Sequence, residues 1–298
     1  MTGEVKRSGF VAIIGRPNVG KSTLLNKALG KKICITSRKP QTTRQRMLGI
    51  KTSDAAQIVY VDTPGLHSGQ KKELNRYMNR VAKSALHEVD VVVFMVQALA
   101  WTKQETIILS YLDSLKIPVV LVINKIDLVK DKQQLLPFID EVSSKFDFAK
   151  IIPVSAKQGS QVDCFENDII SFLPAGNLLY PPEQFTDRSD KFVVAEFVRE
   201  KLTRQLGDEI PYALTTTIES MEEESNIIRI ACLIWIDKES QKHIVIGEKG
   251  SRLKQVGVAS REDLERYFNK KVFLQLWVKV KSGWSDDADM LNRFGYEE

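Results

Sequence analysis

Gly15, Arg16, Pro17, Asn18, Val19, Gly20, Lys21 and Ser22 spell GxxxxGKS, directly after the apolar run Phe10–Ile14. The glycines let the main chain curl so that successive N–H groups point inward, a cradle for phosphate oxygens. Lys21 would set a cation against the outer phosphates and Ser22 a hydroxyl on Mg²⁺, while a helix starting near Thr23 would add its positive N-terminus. A glycine-rich turn can spell this pattern by chance. A strand before it and an apolar helix at Thr23–Leu29 after it argue instead for a nucleoside triphosphate, with the base unspecified. Asp62, Thr63, Pro64 and Gly65 close a second apolar run, Gln57–Val61. The Asp62 carboxylate could hold Mg²⁺ through water, and the Gly65 amide could meet the γ-phosphate.

Asn124, Lys125, Ile126 and Asp127 end another apolar run, Pro118–Ile123, and point to the base. A carboxylate at Asp127 can accept from both N1–H and N2–H₂ of guanine. Adenine offers neither donor and would leave the carboxylate desolvated and unpaired, so discrimination of roughly 10⁴ is attainable. Ser155 and Ala156, followed by Lys157, come just after Ile151–Val154 and could turn backbone N–H groups toward the guanine O6; that motif is read only by position. Between the first helix and the second strand, Lys39–Arg44 holds two hydroxyls, Thr42 and Thr43. One of them could join Mg²⁺ while the γ-phosphate is present.

These motifs need strands to hold them. Phe10–Ile14, Gln57–Val61, Val91–Val96, Pro118–Ile123 and Ile151–Val154 are short, rich in Val and Ile and apolar on both faces, as in a parallel sheet covered by helices. Helical spacings lie between them, at Leu74–Leu86, Ile107–Leu115 and Leu135–Val142. Strand–helix alternation predicts a doubly wound α/β domain with ligands at the carboxyl ends of its strands. Pro174, Gly176, Pro181 and Pro182 interrupt it. The order that follows is helix (Lys191–Leu206), strands (Tyr212–Glu219 and Ile227–Ile236), a helical middle to Phe268, and a strand at Val272–Val280. The expected layout is an α/β domain over 1–175, a linker over 176–190 and a small α+β domain over 191–298.

In the second part, Gly247, Glu248, Lys249 and Gly250 form GxxG after Ile246, with Lys242, Arg252 and Lys254 around it. Small residues at both ends of such a turn admit a nucleic-acid backbone, and the cations would pair with phosphates, as in a KH clamp on single-stranded RNA. Many plain turns also satisfy GxxG. Residues 181–298 hold 22 acidic against 18 basic side chains, so RNA binding would come from a local patch. Of the aromatics near the end, Trp277 is expected to pack, while Trp284 is left open between packing and stacking.

The chain has 298 residues, 43% of them hydrophobic, with a net charge of +5, enough for two globular domains and too mild to argue for nucleic-acid binding alone. Cys34, Cys164 and Cys232 are scattered, in no CxxC pair, and fit a reducing compartment. The histidines His67, His87 and His243 form no HExxH pattern. No run reaches the ~18 apolar residues of a spanning helix, and no signal peptide is seen.

GRPNVGKS, the Thr42–Thr43 pair, DTPG, NKID and SA follow one another as in Ras-like GTPases related to translation factors. With the second domain, the chain resembles the bacterial Era GTPase family over essentially its whole length. The resemblance implies a P-loop GTPase domain followed by a type II KH domain, in the order αββααβ, with a short helix at His243–Ile246. It implies GTP or GDP and Mg²⁺ as ligands; Lys21, Thr43 and Gly65 as catalytic groups; and Ser22, Thr43 and Asp62 around the metal, with Thr43 preferred to Thr42. Leu66 stands where Ras-like enzymes carry the water-orienting glutamine. Hydrolysis would then rest on Mg²⁺, Lys21 and backbone amides, and be slow. Asn18 either only shapes its loop or also helps hold K⁺, since related glutamine-lacking GTPases resemble this loop there. The implied partners are 16S ribosomal RNA near its 3′ end and the maturing 30S subunit, with no DNA and no second copy of the chain. The implied place is the cytoplasm, with peripheral contact at the inner membrane. A non-catalytic GTP-dependent scaffold and a P-loop phosphotransferase are the alternatives.

Overall fold

The computed structural model describes residues 6–37, 39, 42–65, 73–207 and 213–296. The chain forms two compact units. One comprises Met1–Cys34, Thr43–Ser68 and Met78–Asp187; the other comprises Ile35–Thr42, Gly69–Tyr77 and Arg188–Glu298.

In the first unit the strands are β1 (Arg7–Ile14), β2 (Met47–Thr52), β3 (Ala56–Asp62), β4 (Val91–Gln97), β5 (Val119–Asn124) and β6 (Lys150–Pro153). The helices are α1 (Lys21–Leu29), α2 (Glu73–Ser84, shared between the units), α3 (Lys103–Leu112), α4 (Leu135–Ser143) and α5 (Val162–Phe172). The sheet order is β2-β3-β1-β4-β5-β6, parallel throughout except for β2 against β3. Val11–Ile14, Ile58–Val61, Val91–Val96 and Val119–Ile123 are all buried, since helices cover both faces and no strand needs a polar side. β1 sits where the connections turn from one side of the sheet to the other. Ile13 is paired with Asp62, Ile14 with Phe94, Gln97 with Asn124 and Ile123 with Pro153. The carboxyl ends are therefore level, and the loops after β1, β3, β5 and β6 emerge along one edge, at the switch point where such sheets bind ligands.

β2 corrects the sequence reading, which passes from the first helix to Gln57 through a polar stretch without a strand. Met47–Thr52 has a central glycine and ends in Lys51 and Thr52, so it offers no apolar run; its antiparallel pairing with β3 supplies the order. Helix α5 also went unread. Part of the stretch read as a linker packs on this unit: the Leu48 amide donates to Asp187, the Ile50 amide to the Phe185 carbonyl, and the Leu179 and Tyr180 amides to the buried Gln57.

The second unit contains α6 (Asp190–Gln205), β7 (Leu214–Glu223), β8 (Ile227–Ile236), α7 (Glu239–Ile246), α8 (Ser251–Phe268), β9 (Lys271–Val280) and a short α9 (Ala288–Arg293). Its sheet runs β7-β8-β9, with β8 and β9 parallel. Apolar residues at every even position of β9 face the core. Trp277 is at an odd position. The packing expected for it is overturned: its side chain points outward and is 55% exposed. Trp284, left open by the sequence, is fully buried, its Nε1–H donating to the Ala213 carbonyl at 3.2 Å. Trp284→Ala should cost about 3–5 kcal/mol of stability and Trp277→Ala within about 0.5 kcal/mol. Urea unfolding of each variant followed by circular dichroism measures both.

Candidate functional site

In the first unit, the loop after β1 turns into α1 through Gly20, whose φ of 108° lies in the left-handed region. A Cβ there would come within 2.2 Å of Asn124 Nδ2, so only glycine fits. Lys21, the first residue of α1, is buried, and its Nζ donates to the carbonyls of Gly15 (3.0 Å) and Arg16 (3.1 Å). Burial lowers its pKa from 10.5 to about 8, with Asp62 pulling the other way. An anionic phosphate would offset that desolvation. Val19 is buried in the core, while Asn18 is exposed, with φ 65°. Arg16 pairs with the buried Glu105 at the start of α3, at 2.5 Å. Pro17 flanks Gly65: a Cβ built there would lie 3.3 Å from Pro17 and 3.4 Å from Lys21 Nζ. Thr63 and Pro64 are buried beside it, and the Thr63 hydroxyl donates to the Ile13 carbonyl.

Three oxygens meet next to Lys21. Ser22 Oγ lies 3.1 Å from Thr43 Oγ1, and each hydroxyl donates to Asp62 Oδ2 at 3.2 Å. Asp62 is fully buried, and among the described residues its Oδ1 has no hydrogen-bond partner. Burial pushes its pKa up, against the pull of Lys21. A buried carboxylate oxygen without a donor, beside two hydroxyls, is a donor set that fits a hard divalent cation. Mg²⁺ is ordinarily held by one or two carboxylates together with substrate phosphates. The described residues hold no group of three or more His, Cys, Asp or Glu side chains that could bind a metal, so phosphate oxygens would complete the shell. The Thr42 hydroxyl donates to the Lys39 carbonyl.

The base loop is tied to the phosphate loop by one side chain. Asn124 Nδ2 donates to the Val19 carbonyl at 2.7 Å, and its Oδ1 accepts from the Ala156 amide at 2.9 Å. Lys125, at φ 65°, turns the chain, and its Nζ donates to Gln97 Oε1. Asp127 is half-buried, and its Oδ1 accepts from Ser155 Oγ at 2.6 Å. Of the backbone N–H groups of residues 155–157 read by position as facing the base, those of Ser155 and Ala156 are engaged within the protein. The first donates to the Ser160 carbonyl and the second to Asn124. Ser155 acts through its hydroxyl, which fixes the Asp127 carboxylate. Lys157 has the one amide of 155–159 that makes no hydrogen bond among the described residues. Leu66 lies outside the described residues.

In the second unit, α7 ends at Gly247 (φ 76°), whose Cβ would meet Arg252 Cβ at 2.7 Å, so the turn into α8 requires glycine there. Lys249 and Gly250 continue the turn in left-handed conformations. Glu248, Lys249 and Lys254 are exposed, and neither lysine has an ion pair among the described residues. Ile246 is half-buried. Lys242 pairs with Glu239 at 3.3 Å, and Arg252 turns back to donate to the Ile244 carbonyl. Lys249 and Lys254 are therefore the open cations of the four residues expected to be basic contacts. Sequence reasoning missed a second feature. Fully buried Glu200 on α6 accepts from the Thr36 amide at 2.9 Å and from its hydroxyl at 3.1 Å. Arg204 bonds the Thr36 carbonyl at 3.0 Å, and Arg199 donates to the Thr42 carbonyl. Two consecutive charged residues inside a helix carry no motif, so nothing in the sequence marked them.

A phosphate loop and a carboxylate-bearing base loop on a doubly wound sheet, followed by a GxxG turn packed on a three-stranded sheet, define a P-loop GTPase fold with a KH-type module. A family model described as 50S ribosome-binding GTPase matches residues 10–125, and one described as KH domain matches residues 209–285. GTPase Era of Coxiella burnetii (strain Dugway 5J108-111) is 55% identical over 290 residues, 97% of this chain and 98% of the relative. GTPase Era of Marinobacter nauticus is 51% identical over 292 residues, 98% and 96% of the two chains. Among solved structures, Era in complex with MgGDPNP and nucleotides 1506–1542 of 16S ribosomal RNA superposes with a TM-score of 0.95. It is 38% identical, over 98% of this chain and 100% of that one. An Aquifex aeolicus Era variant bound to GDP·AlF4⁻ gives 0.94 and 39%, with the same coverage. The chain belongs to the Era GTPase family.

Two outcomes follow from the geometry. A phosphate tail would pair with the ammonium form of Lys21, whose pKa burial lowers to about 8. Guanosine triphosphate affinity should therefore hold below pH 8 and fall above it, by up to about tenfold per unit. Calorimetry from pH 7 to 9 checks this, and an equal slope in Lys21→Ala would exclude Lys21 as the cause. Ser155→Ala should weaken guanine-nucleotide binding about tenfold to a hundredfold, the worth of one hydrogen bond to a charged group. Inorganic triphosphate, measured in the same titration series, should bind as before.

Proposed function

We propose that the chain binds and hydrolyses GTP, and that its second unit binds RNA in step with the nucleotide state. The Asn124 bridge carries the reading: it holds the phosphate loop and the base loop at one fixed separation, so a single ligand with a triphosphate tail and a guanine base spans both. Gly15–Thr23, Asp62–Gly65 with Leu66, Asn124, Lys125, Asp127, Ser155 and Ala156 form its nucleotide site, with Lys157 added for its open amide. Lys21, the α1 N-terminus and the Gly65 amide stabilise charge on the departing phosphates. Ser22, Thr43 and Asp62 would hold Mg²⁺, which when bound neutralises charge on the β- and γ-phosphate oxygens. Leu66 cannot orient water, so turnover is slow.

For the second unit, the GxxG turn from Ile246 to Gly250, with Lys242, Lys249, Arg252 and Lys254, is the RNA clamp. The relative bound to nucleotides 1506–1542 of 16S ribosomal RNA supports that RNA, near its 3′ end, as the ligand, and 30S subunit assembly is the process in which such binding would serve. The functional divisions are a GTPase domain at 1–175, a connecting strap at 176–190 and an RNA-binding domain at 191–298, in a monomer that works in the cytoplasm. No helix among the described residues is long and apolar enough to cross a membrane, and any contact with the inner membrane is peripheral.

GTP should bind at least a thousandfold more tightly than ATP, and single-turnover phosphate release should be slow but faster than in Lys21→Ala. Equal affinities would end the guanine reading, and a rate equal to the variant would leave a non-catalytic scaffold. Gly247→Asp should abolish single-stranded RNA binding with GTP affinity intact.

A further inference from the structure

β9 is an edge strand with two unlike faces. Its even residues face α8, as Leu276 beside Gly257 illustrates, and its odd residues face away from the helices. Lys271, Phe273, Gln275, Trp277 and Lys279, then Lys281 one residue past the strand, make an outward row in which every member is exposed. Phe273 is 45% and Trp277 55% exposed. The two rings are roughly 13 Å apart along the strand, with an amide between them and cations at both ends. Lys271 and Lys281 have no ion pair among the described residues. Arg229 of β8 lies over the Phe273 ring at 5.5 Å.

The carboxylates nearby lie toward β7. Glu219 is 3.6 Å from Lys279, Glu224 pairs with Arg229 at 2.7 Å, and Glu223 pairs with Lys270. The β7 side of this face is thus acidic, and the free edge along β9 is basic and aromatic. Further along, Phe294 covers Trp235 at 5.4 Å, so the open stretch centres on Phe273–Trp277.

A protein-docking patch would have a contiguous core depleted of charge, with polar groups at its rim; here separate rings alternate with polar and cationic groups. Open sheet faces that present spaced aromatics beside cations hold single-stranded nucleic acid, with bases stacked on rings and phosphates on lysines. We infer that the outer face of β9 is a second single-stranded RNA site, with one base on Phe273, one on Trp277, and backbone phosphates on Lys271, Lys279 and Lys281. It rests on reading this unit as RNA-binding, but lies on the face of the sheet opposite the helices that bear the GxxG turn. An RNA long enough to leave the clamp and round the β9 edge would occupy both.

The test uses the full chain and unstructured oligonucleotides of four and twelve nucleotides, read by fluorescence anisotropy. Wild-type protein should bind the twelve-mer more tightly than the four-mer. Phe273→Ala with Trp277→Ala should lose that gain, about tenfold or more for each ring, and leave the four-mer unchanged. Trp277→Phe should restore most of its share. Lys271→Gln with Lys281→Gln should reduce the salt slope for the twelve-mer by roughly 1.4, at about 0.7 for each phosphate no longer neutralised. Both rings are exposed, so the variants should unfold at the wild-type urea midpoint. A double aromatic variant that binds both oligonucleotides like wild type would overturn the site. If Gly247→Asp also left four-mer binding intact, the clamp reading would fall separately.

Discussion

The side chain of Asn124 holds the nucleotide site together. Its amide group donates to the carbonyl of Val19 and accepts from the amide of Ala156, joining three loops that lie far apart in sequence. Both partners are backbone groups at buried or nearly buried residues, where an unmet donor or acceptor is costly. Neither an aspartate nor a leucine could replace it, since one lacks the donor and the other has no polar atoms. The parallel sheet brings the loops to one edge, and this side chain sets their spacing.

Charge is handled by similar economy. Lys21 and Asp62 are both buried, and each moderates the desolvation of the other. Without Lys21 the carboxylate would be pushed further toward its neutral form. Without Asp62 the ammonium would lose its proton more readily. The hydroxyls of Ser22 and Thr43 sit on the same carboxylate oxygen, leaving the other for a cation shell. Such a cluster is polarised before any ligand arrives, as preorganised electrostatic stabilisation requires.

Motifs made of glycine, lysine and short polar residues were legible because their chemistry depends on local spacing. GKS opens a helix, and DTPG, NKID and GxxG occur as turns or strand ends in the structure, as their residue types demand. Strands with continuous Val and Ile runs were equally plain. What escaped depends on partners distant in sequence. β2 draws its order from β3, not from its own residues. Ser155 reads as a backbone donor until Asp127 lies beside its hydroxyl. Glu200 and Arg199 sit inside a helix with no signature, and their role arises only because Thr36 and Thr42 come to them. Trp277 was misjudged by residue type, although the parity of its position already assigned it to the outward face.

Gly20 has no room for even a methyl group beside Asn124. Recognition of the nucleotide's two ends is therefore mechanically indivisible. Changes of base preference must be confined to the rim, at Asp127 and its neighbours, because an alteration deeper in that loop would loosen the phosphate cradle too. Evolution or engineering could retune which purine enters, but could not exchange one recognition half for that of another protein without rebuilding the other.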